Sequence, residues 1–249
     1  MSLKIQNALV DLLKASAHEN NIADVRIGLG YTAVCLDNGQ AGLAWTPPRT
    51  AGCCTHLPLA GTLAGRPASE LLQMLAADVP LQRTLGLATA NALLATGPLP
   101  ETSKEEVLDG LKISEADHVA MVGYFGPLVR RIREVGCRFD IIELDSSKPG
   151  VLTPEQGRSV LAECSVAILT GTSLVTGTCD ELLSDLGQPR EAVLLGPSAP
   201  FCAQIFAGTP LTRIAGARVL NANGVLQVVS EGGGTPRLKS HVSFETLLL

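Results

Sequence analysis

The stretch Val119-Ala120-Met121-Val122-Gly123-Tyr124-Phe125-Gly126-Pro127 decides the fold. A short, unbroken apolar run closed by glycine reads as a strand buried on both faces, because neither side of such a strand meets water. Gly123 ends the run, Gly126 lets the backbone approach something closely, and Pro127 presets the φ angle of a first helical turn. A helical pattern follows over 127–135. The unit then repeats: 139–144 is apolar, 154–163 helical, 166–170 apolar, 178–186 helical, 192–196 apolar and 199–206 helical. Short apolar strands alternating with helices predict a parallel sheet covered on both faces. Thr153-Pro154-Glu155-Gln156 spells a capping box with proline at the first helical position, and Ser103 with Glu106 and Thr178 with Glu181 spell two more. A last helix over 223–230, ending at Gly232-Gly233-Gly234, and a closing strand around Val242, Phe244, Thr246 and Leu248 complete this half.

Toward the N-terminus the punctuation Gly97-Pro98-Leu99-Pro100-Glu101-Thr102 carries no hydrophobic periodicity and predicts a domain boundary, with domains over 1–98 and 103–249. Before it, apolar residues at helical spacing predict a helix to about Ala17. Two strands, 25–36 and 41–46, flank the hairpin signal Asp37-Asn38-Gly39-Gln40, and two helices follow over 68–77 and 81–95. The expected architecture is α/β: a smaller α+β domain followed by a parallel sheet flanked by helices.

Composition narrows the partners. The 249 residues are 46% hydrophobic and 17% charged, which excludes a disordered chain. Eight aromatics (1 Trp, 2 Tyr, 5 Phe) leave the core to Ala, Val, Ile and Leu. Lys and Arg number 19 against 24 Asp and Glu, a net charge of −5 with no basic stripe, so nucleic acid is not an expected partner. The mean hydropathy is +0.27, yet no apolar run reaches the length of a membrane span, and no membrane association is expected. Seven cysteines without a disulfide spacing, and an N-terminus lacking a secretory signal, point to a reducing cytoplasm. The apolar surplus points to a homodimer.

In a parallel sheet, ligands bind beyond the carboxyl ends of the strands, where helix N-termini present free N–H groups. Three turns are permissive: Gly123-Tyr124-Phe125-Gly126-Pro127, Thr170-Gly171-Thr172-Ser173 and Gly196-Pro197-Ser198. Under the strand order 3-2-1-4-5, the first and third would face one another at the switch point, with the second two strands away. Asp145 lies 22 residues after Gly123, where dinucleotide folds place the acid that holds a ribose, although the turn lacks the third glycine of G-x-G-x-x-G. Each turn can equally be nothing more than a tight strand–helix connection. Cys53-Cys54-Thr55-His56 has the ligand types of a soft-metal site, or else places two small residues in a loop. Cys137, Cys164, Cys179 and Cys202 read as packing residues, with Cys179 alone at a helix start, where a thiol pKa is lowered. His18 and His241 read as surface residues, His118 as a packing or hydrogen-bonding one, and Arg130, Arg131 and Arg133 as a solvated face from which Arg130 can reach an anion.

V-G-Y-F-G-P-L-V at 122–129, E-L-D-x-x-x-P-G at 143–150, T-G-T-S-L-V-T-G-T at 170–178, L-L-G-P-S-A-P at 194–200 and E-G-G-G-T at 231–235 together resemble a heavy-metal chelatase family of bacteria and archaea. The hairpin, L-A-G at 63–65 and A-N-A-L at 90–93 extend the resemblance over nearly the whole chain. It implies an enolase N-terminal-like domain, a Rossmann-like domain and a ligand cleft between them that engages the three turns. It implies no defined reaction. Two functions stand open. One is metal handling, with a heavy or transition metal ion or a metal-containing small molecule as ligand and Cys53, Cys54 and His56 as metal ligands. The other is an enzyme or sensor that takes an anionic nucleotide-like cofactor at the three turns.

Overall fold

The computed structural model of the chain describes residues 2–48, 57–145 and 148–249. Helix α1 (Lys4–Glu19) opens the chain and buries Leu9, Leu13 and Ala17 on one stripe. Strands β1 (Ile22–Ile27), β2 (Tyr31–Leu36) and β3 (Ala41–Trp45) form a three-stranded antiparallel sheet in the order β1-β2-β3. The expected strand over 25–36 is therefore two strands, split by the tight turn Gly28-Leu29-Gly30, in which the Gly28 N–H donates to Tyr31 O at 2.9 Å. Gly28 is required there: a Cβ would lie 2.2 Å from the Val229 carbonyl oxygen. The Asn38-Gly39 hairpin forms as expected, with Gly39 at φ +85°.

Helix α2 (Ala68–Gln73) runs through a 3-10 turn (Met74–Ala76) toward α3 (Pro80–Leu94). Helix α3 is buried nearly all round because it packs on β2 and β3 with one face and on α1 and α2 with others. The far side of the small sheet is covered by residues much later in the chain, Val225, Val229 and Leu238, which pack on Ala33 and Leu43. That double cover explains why β2 and β3 are apolar on both faces.

Helix α4 (Val107–Leu111) precedes β4 (His118–Val122), α5 (Gly126–Val135), β5 (Arg138–Ile142), α6 (Pro154–Glu163) and β6 (Val166–Thr170). Helices α7 (Ser173–Thr176) and α8 (Cys179–Asp185), β7 (Glu191–Leu195), β8 (Arg213–Val219), α9 (Ala222–Ser230), α10 (Thr235–Leu238) and β9 (Val242–Leu248) follow. The six strands lie in the order β5-β4-β6-β7-β8-β9, parallel except for β9. Alternate side chains feed two cores. Ala120, Ala167, Leu169 and Leu194 join one continuous cluster with Leu9, Leu72 and Leu85 of the first half, while Val119, Met121, Ile168 and Val193 pack under α4 and α5.

Several expectations are corrected. The helix expected over 199–206 is only a 3-10 turn at Gln204–Phe206, because Ala199 is pressed against β8: a Cβ on Gly216 would meet the Ala199 carbonyl oxygen at 2.8 Å. Of the three capping boxes, only Thr153 with Gln156 forms in both directions. Ser103 instead bridges Thr246 of β9, and Glu106 pairs with Arg131. The Thr178 hydroxyl bonds that of Thr176 at 2.9 Å, and Glu181 pairs with Arg158. Among the described residues, no helix is long and apolar enough to cross a membrane.

Candidate functional site

The observed strand order moves the site. Strand β4 has β5 on one side and β6 on the other, so the sheet reverses direction of growth between β4 and β6, and the turns after these two strands face one another. The pair expected at the switch point was the turns after β4 and β7. The turn after β6, expected to lie two strands away, takes the second place instead.

A cavity of about 550 Å³ opens at this point, between the turns of the large sheet and the end of β3. That volume suits a small organic molecule. Of the sequence candidates, Gly123, Tyr124, Phe125, Asp145, Thr170 and Thr172 line it together. Gly123, at φ +90°, brings the backbone past Thr170, where a Cβ would lie 3.1 Å from that residue's own Cβ. The Thr170 hydroxyl contacts the Thr172 hydroxyl at 3.0 Å and accepts the Thr172 N–H at 3.3 Å. A second threonine pair also lines the cavity: the Thr176 and Thr178 hydroxyls are 2.9 Å apart, and Thr176 donates onward to Ser173 O at 3.3 Å. A hydroxyl offers one donor and two acceptor positions, so each pair keeps hydrogen-bonding capacity for a ligand.

The remaining candidates of the three turns do not line the cavity. Gly126 and Pro127 open α5, and Gly171 and Ser173 are buried behind the β6 turn. Ser198 is 1% exposed, and its Oγ accepts the backbone N–H of Trp45 at 2.8 Å. Asn91 completes the joint by donating to the carbonyls of Leu43 and Ser198. The turn Gly196-Pro197-Ser198 thus docks the small sheet to the large one. Buried Arg83 does the same from α3, donating to the carbonyls of Val175 and Thr176 beside the threonine wall.

Residues that sequence reasoning passed over supply much of the lining: Trp45, Lys148, Arg158, Thr176, Thr178 and Glu181. Two signals pointed to them, the chain's single tryptophan just before Pro47-Pro48 and the doubled T-G-T of 170–178. Four carboxylates (Glu143, Asp145, Glu181, Asp185) face two cations, Lys148 and Arg158. Lys148 Nζ is 2.8 Å from Glu143 Oε2, and Arg158 pairs with Glu181 and, at 3.7 Å, with Asp185. Among the described residues the lining is therefore net acidic. Arg130 takes no part, being bound to Glu134 one helical turn along α5.

The metal-ligand types are placed as follows. Cys53, Cys54 and His56 lie outside the described residues. Among the described residues no group of three His, Cys, Asp or Glu side chains is gathered closely enough to hold an ion. Cys179 does not have the lowered pKa expected of a helix start; burial pushes its thiol up to about 12, and that of Cys164 up to about 11. His241 is half-buried rather than on the surface, and its Nδ1 is enclosed. His118 bonds Asp140 at 2.8 Å at the opposite end of the sheet from the cavity.

The chain resembles known proteins along its whole length. The DUF4213 and DUF364 families, both described as "Putative heavy-metal chelation", match residues 10–94 and 106–248. An uncharacterized protein of Methanocaldococcus jannaschii is 23% identical, over 90% of this chain and 88% of its own. A crystal structure of a DUF364 protein of unknown function from Pyrococcus horikoshii superposes with a TM-score of 0.84 at 21% identity, covering 99% of both chains. Another, from Desulfitobacterium hafniense DCB-2, gives 0.81 at 19% identity, over 98% of this chain and 100% of the other. These structures share the fold, and the family match over more than half of the sequence makes this chain a member of the DUF364 family.

Proposed function

We propose that the chain binds a metal-containing small molecule in the cavity between its two sheets. The observation that carries this reading is the lining itself: about 550 Å³ of space with paired threonine hydroxyls and, among the described residues, twice as many carboxylates as cations. A bare ion needs three or four converging ligands, which the described walls do not gather. A chelated metal brings most of its own ligands, so that the protein supplies volume, hydrogen bonds, an acidic field and only the one or two ligands that remain. Cys53, Cys54 and His56 follow cavity-lining Pro48 by five to eight residues of sequence, and are the soft ligands assigned to the metal in this reading. The description shared by both matching families supports it.

A second reading is favoured by Asp145 and Gly123 sharing one wall, as a ribose and its phosphate would require: a nucleotide-like cofactor. The acidic lining opposes its phosphates. Native mass spectrometry of the purified protein, before and after chelator treatment, separates the two. A chelator-sensitive transition-metal adduct that is lost in a Cys53→Ser/Cys54→Ser variant is expected. A metal-free nucleotide mass that survives the chelator would replace the first reading with the second, and unchanged metal content in the variant would remove the two cysteines from it.

A further inference from the structure

Lys148 reaches the cavity from the loop after β5, and its ammonium rests on two groups. Glu143 Oε2 is 2.8 Å from Nζ, and the centroid of the Tyr124 ring is 5.4 Å away. The carboxylate is held independently of the lysine. Glu143 Oε1 accepts the Leu144 N–H at 2.9 Å, the Glu143 backbone N–H donates to Leu152 O at 3.0 Å, and the side chain is only 16% exposed. Tyr124 stands in the β4 turn, set by Gly123. The lysine is the loose member, 40% exposed on a flexible four-carbon stem.

A carboxylate beside an aromatic face is a cradle for an ammonium, whichever molecule supplies it. We propose that this cradle is the subsite for a protonated amine on the organic part of the cavity's ligand, and that Lys148 fills it until the ligand displaces it. The inference rests on the cavity being the ligand site and adds the ligand's class, an alkylammonium-bearing molecule. Exchange of one ammonium for another leaves the charge of the cradle unchanged, and the freed Lys148 returns to water. Arg158 is not equivalent, because its planar guanidinium is paired with Glu181 and Asp185 rather than set over a ring among the described residues.

An internal occupant has a signature that an ordinary contact lacks: removing it tightens binding. With n-butylammonium as probe and n-butanol as its uncharged counterpart, titrated by NMR against the full chain, Lys148→Met is expected to bind the amine about tenfold more tightly. The alcohol should be unaffected. Lys148→Arg keeps a cation in place and should stay as weak as wild type, and Glu143→Gln added to Lys148→Met should abolish the gain. Each variant is compared as folded protein, verified by its unfolding transition. Equal tightening of both probes would show that only space was created, and no tightening would show that Lys148 does not compete; either result overturns the proposal. The probe contains no metal, so the two readings fail separately. Metal binding without amine tightening removes the cradle alone, whereas amine tightening without metal removes the metal-bearing ligand and keeps the cradle.

Discussion

The two ends of the six-stranded sheet use the same kinds of side chain to opposite effect. At the amino end, Asp117, Ser165 and Arg190 each stand just before a strand. Asp117 is 7% exposed and accepts from the Ser114 N–H and hydroxyl, the Ser165 hydroxyl and two guanidinium nitrogens of Arg190, at 2.7 to 3.0 Å. Arg190 donates further to the carbonyls of Leu111 and Lys112. Both oxygens of that carboxylate are taken up by protein donors. At the carboxyl end, four threonine hydroxyls bond in pairs and face about 550 Å³ of space. A polar cluster that satisfies itself is scaffold, and one that keeps capacity beside a cavity is a candidate site.

The largest effect that can break this contrast belongs to the amino end. Asp117→Asn should lower the unfolding free energy by about 3 kcal/mol at neutral pH, measured by urea unfolding, because an amide cannot receive all of these donors. Arg190 first, and then the serine donors, hold the Asp117 carboxyl well below the usual aspartate range, whereas the unfolded chain titrates near about 3.9. The native pKa is the depressed one, so this stabilisation is complete above about pH 5 and is lost as the pH falls through the native value. The gap between wild type and variant should therefore narrow on acidification below about pH 4. A gap that stays constant with pH would mean that the charge of Asp117 is not what matters.

Ser198→Ala should cost less, about 1–2 kcal/mol, by leaving the Trp45 N–H without its acceptor. Metal content should not change, because Ser198 itself lies off the cavity and Asn91, donating to the carbonyls of Leu43 and residue 198, still docks the strand that carries Trp45. A loss of ligand with no loss of stability would return that turn to the site. Smallest in stability is Thr172→Val, within about 0.5 kcal/mol, since Thr170 still accepts the backbone N–H of residue 172. Ligand content should fall. A destabilisation as large as that of Asp117→Asn would make both ends scaffold.

The strands of the large sheet were legible because β4, β6 and β7 are buried on both faces and so read as unbroken apolar runs. Strand β8 escaped: in Arg-Ile-Ala-Gly-Ala-Arg-Val the strand formers Ile214 and Val219 stand only at the ends of a small and charged middle that carries little strand signal, although β7 and β9 enclose it. Capping patterns were spelled three times and formed once, since Arg131 and Arg158, distant in sequence, offered Glu106 and Glu181 other partners. The turns after strands were found from their glycines and prolines. Their ranking failed, because which strands are neighbours is not written in any one of them. Trp45 entered the cavity by docking across two sheets, through a hydrogen bond between residues 153 positions apart.

The proposed ligand is tested most directly by where a metal sits. Anomalous diffraction at the absorption edge of any metal that native mass spectrometry detects, from crystals of the protein as purified, locates that atom directly. A peak inside the cavity, between Trp45 and the Thr170 and Thr172 hydroxyls, is the expected result. A peak on the outer surface, or a cavity filled by metal-free density, would contradict it.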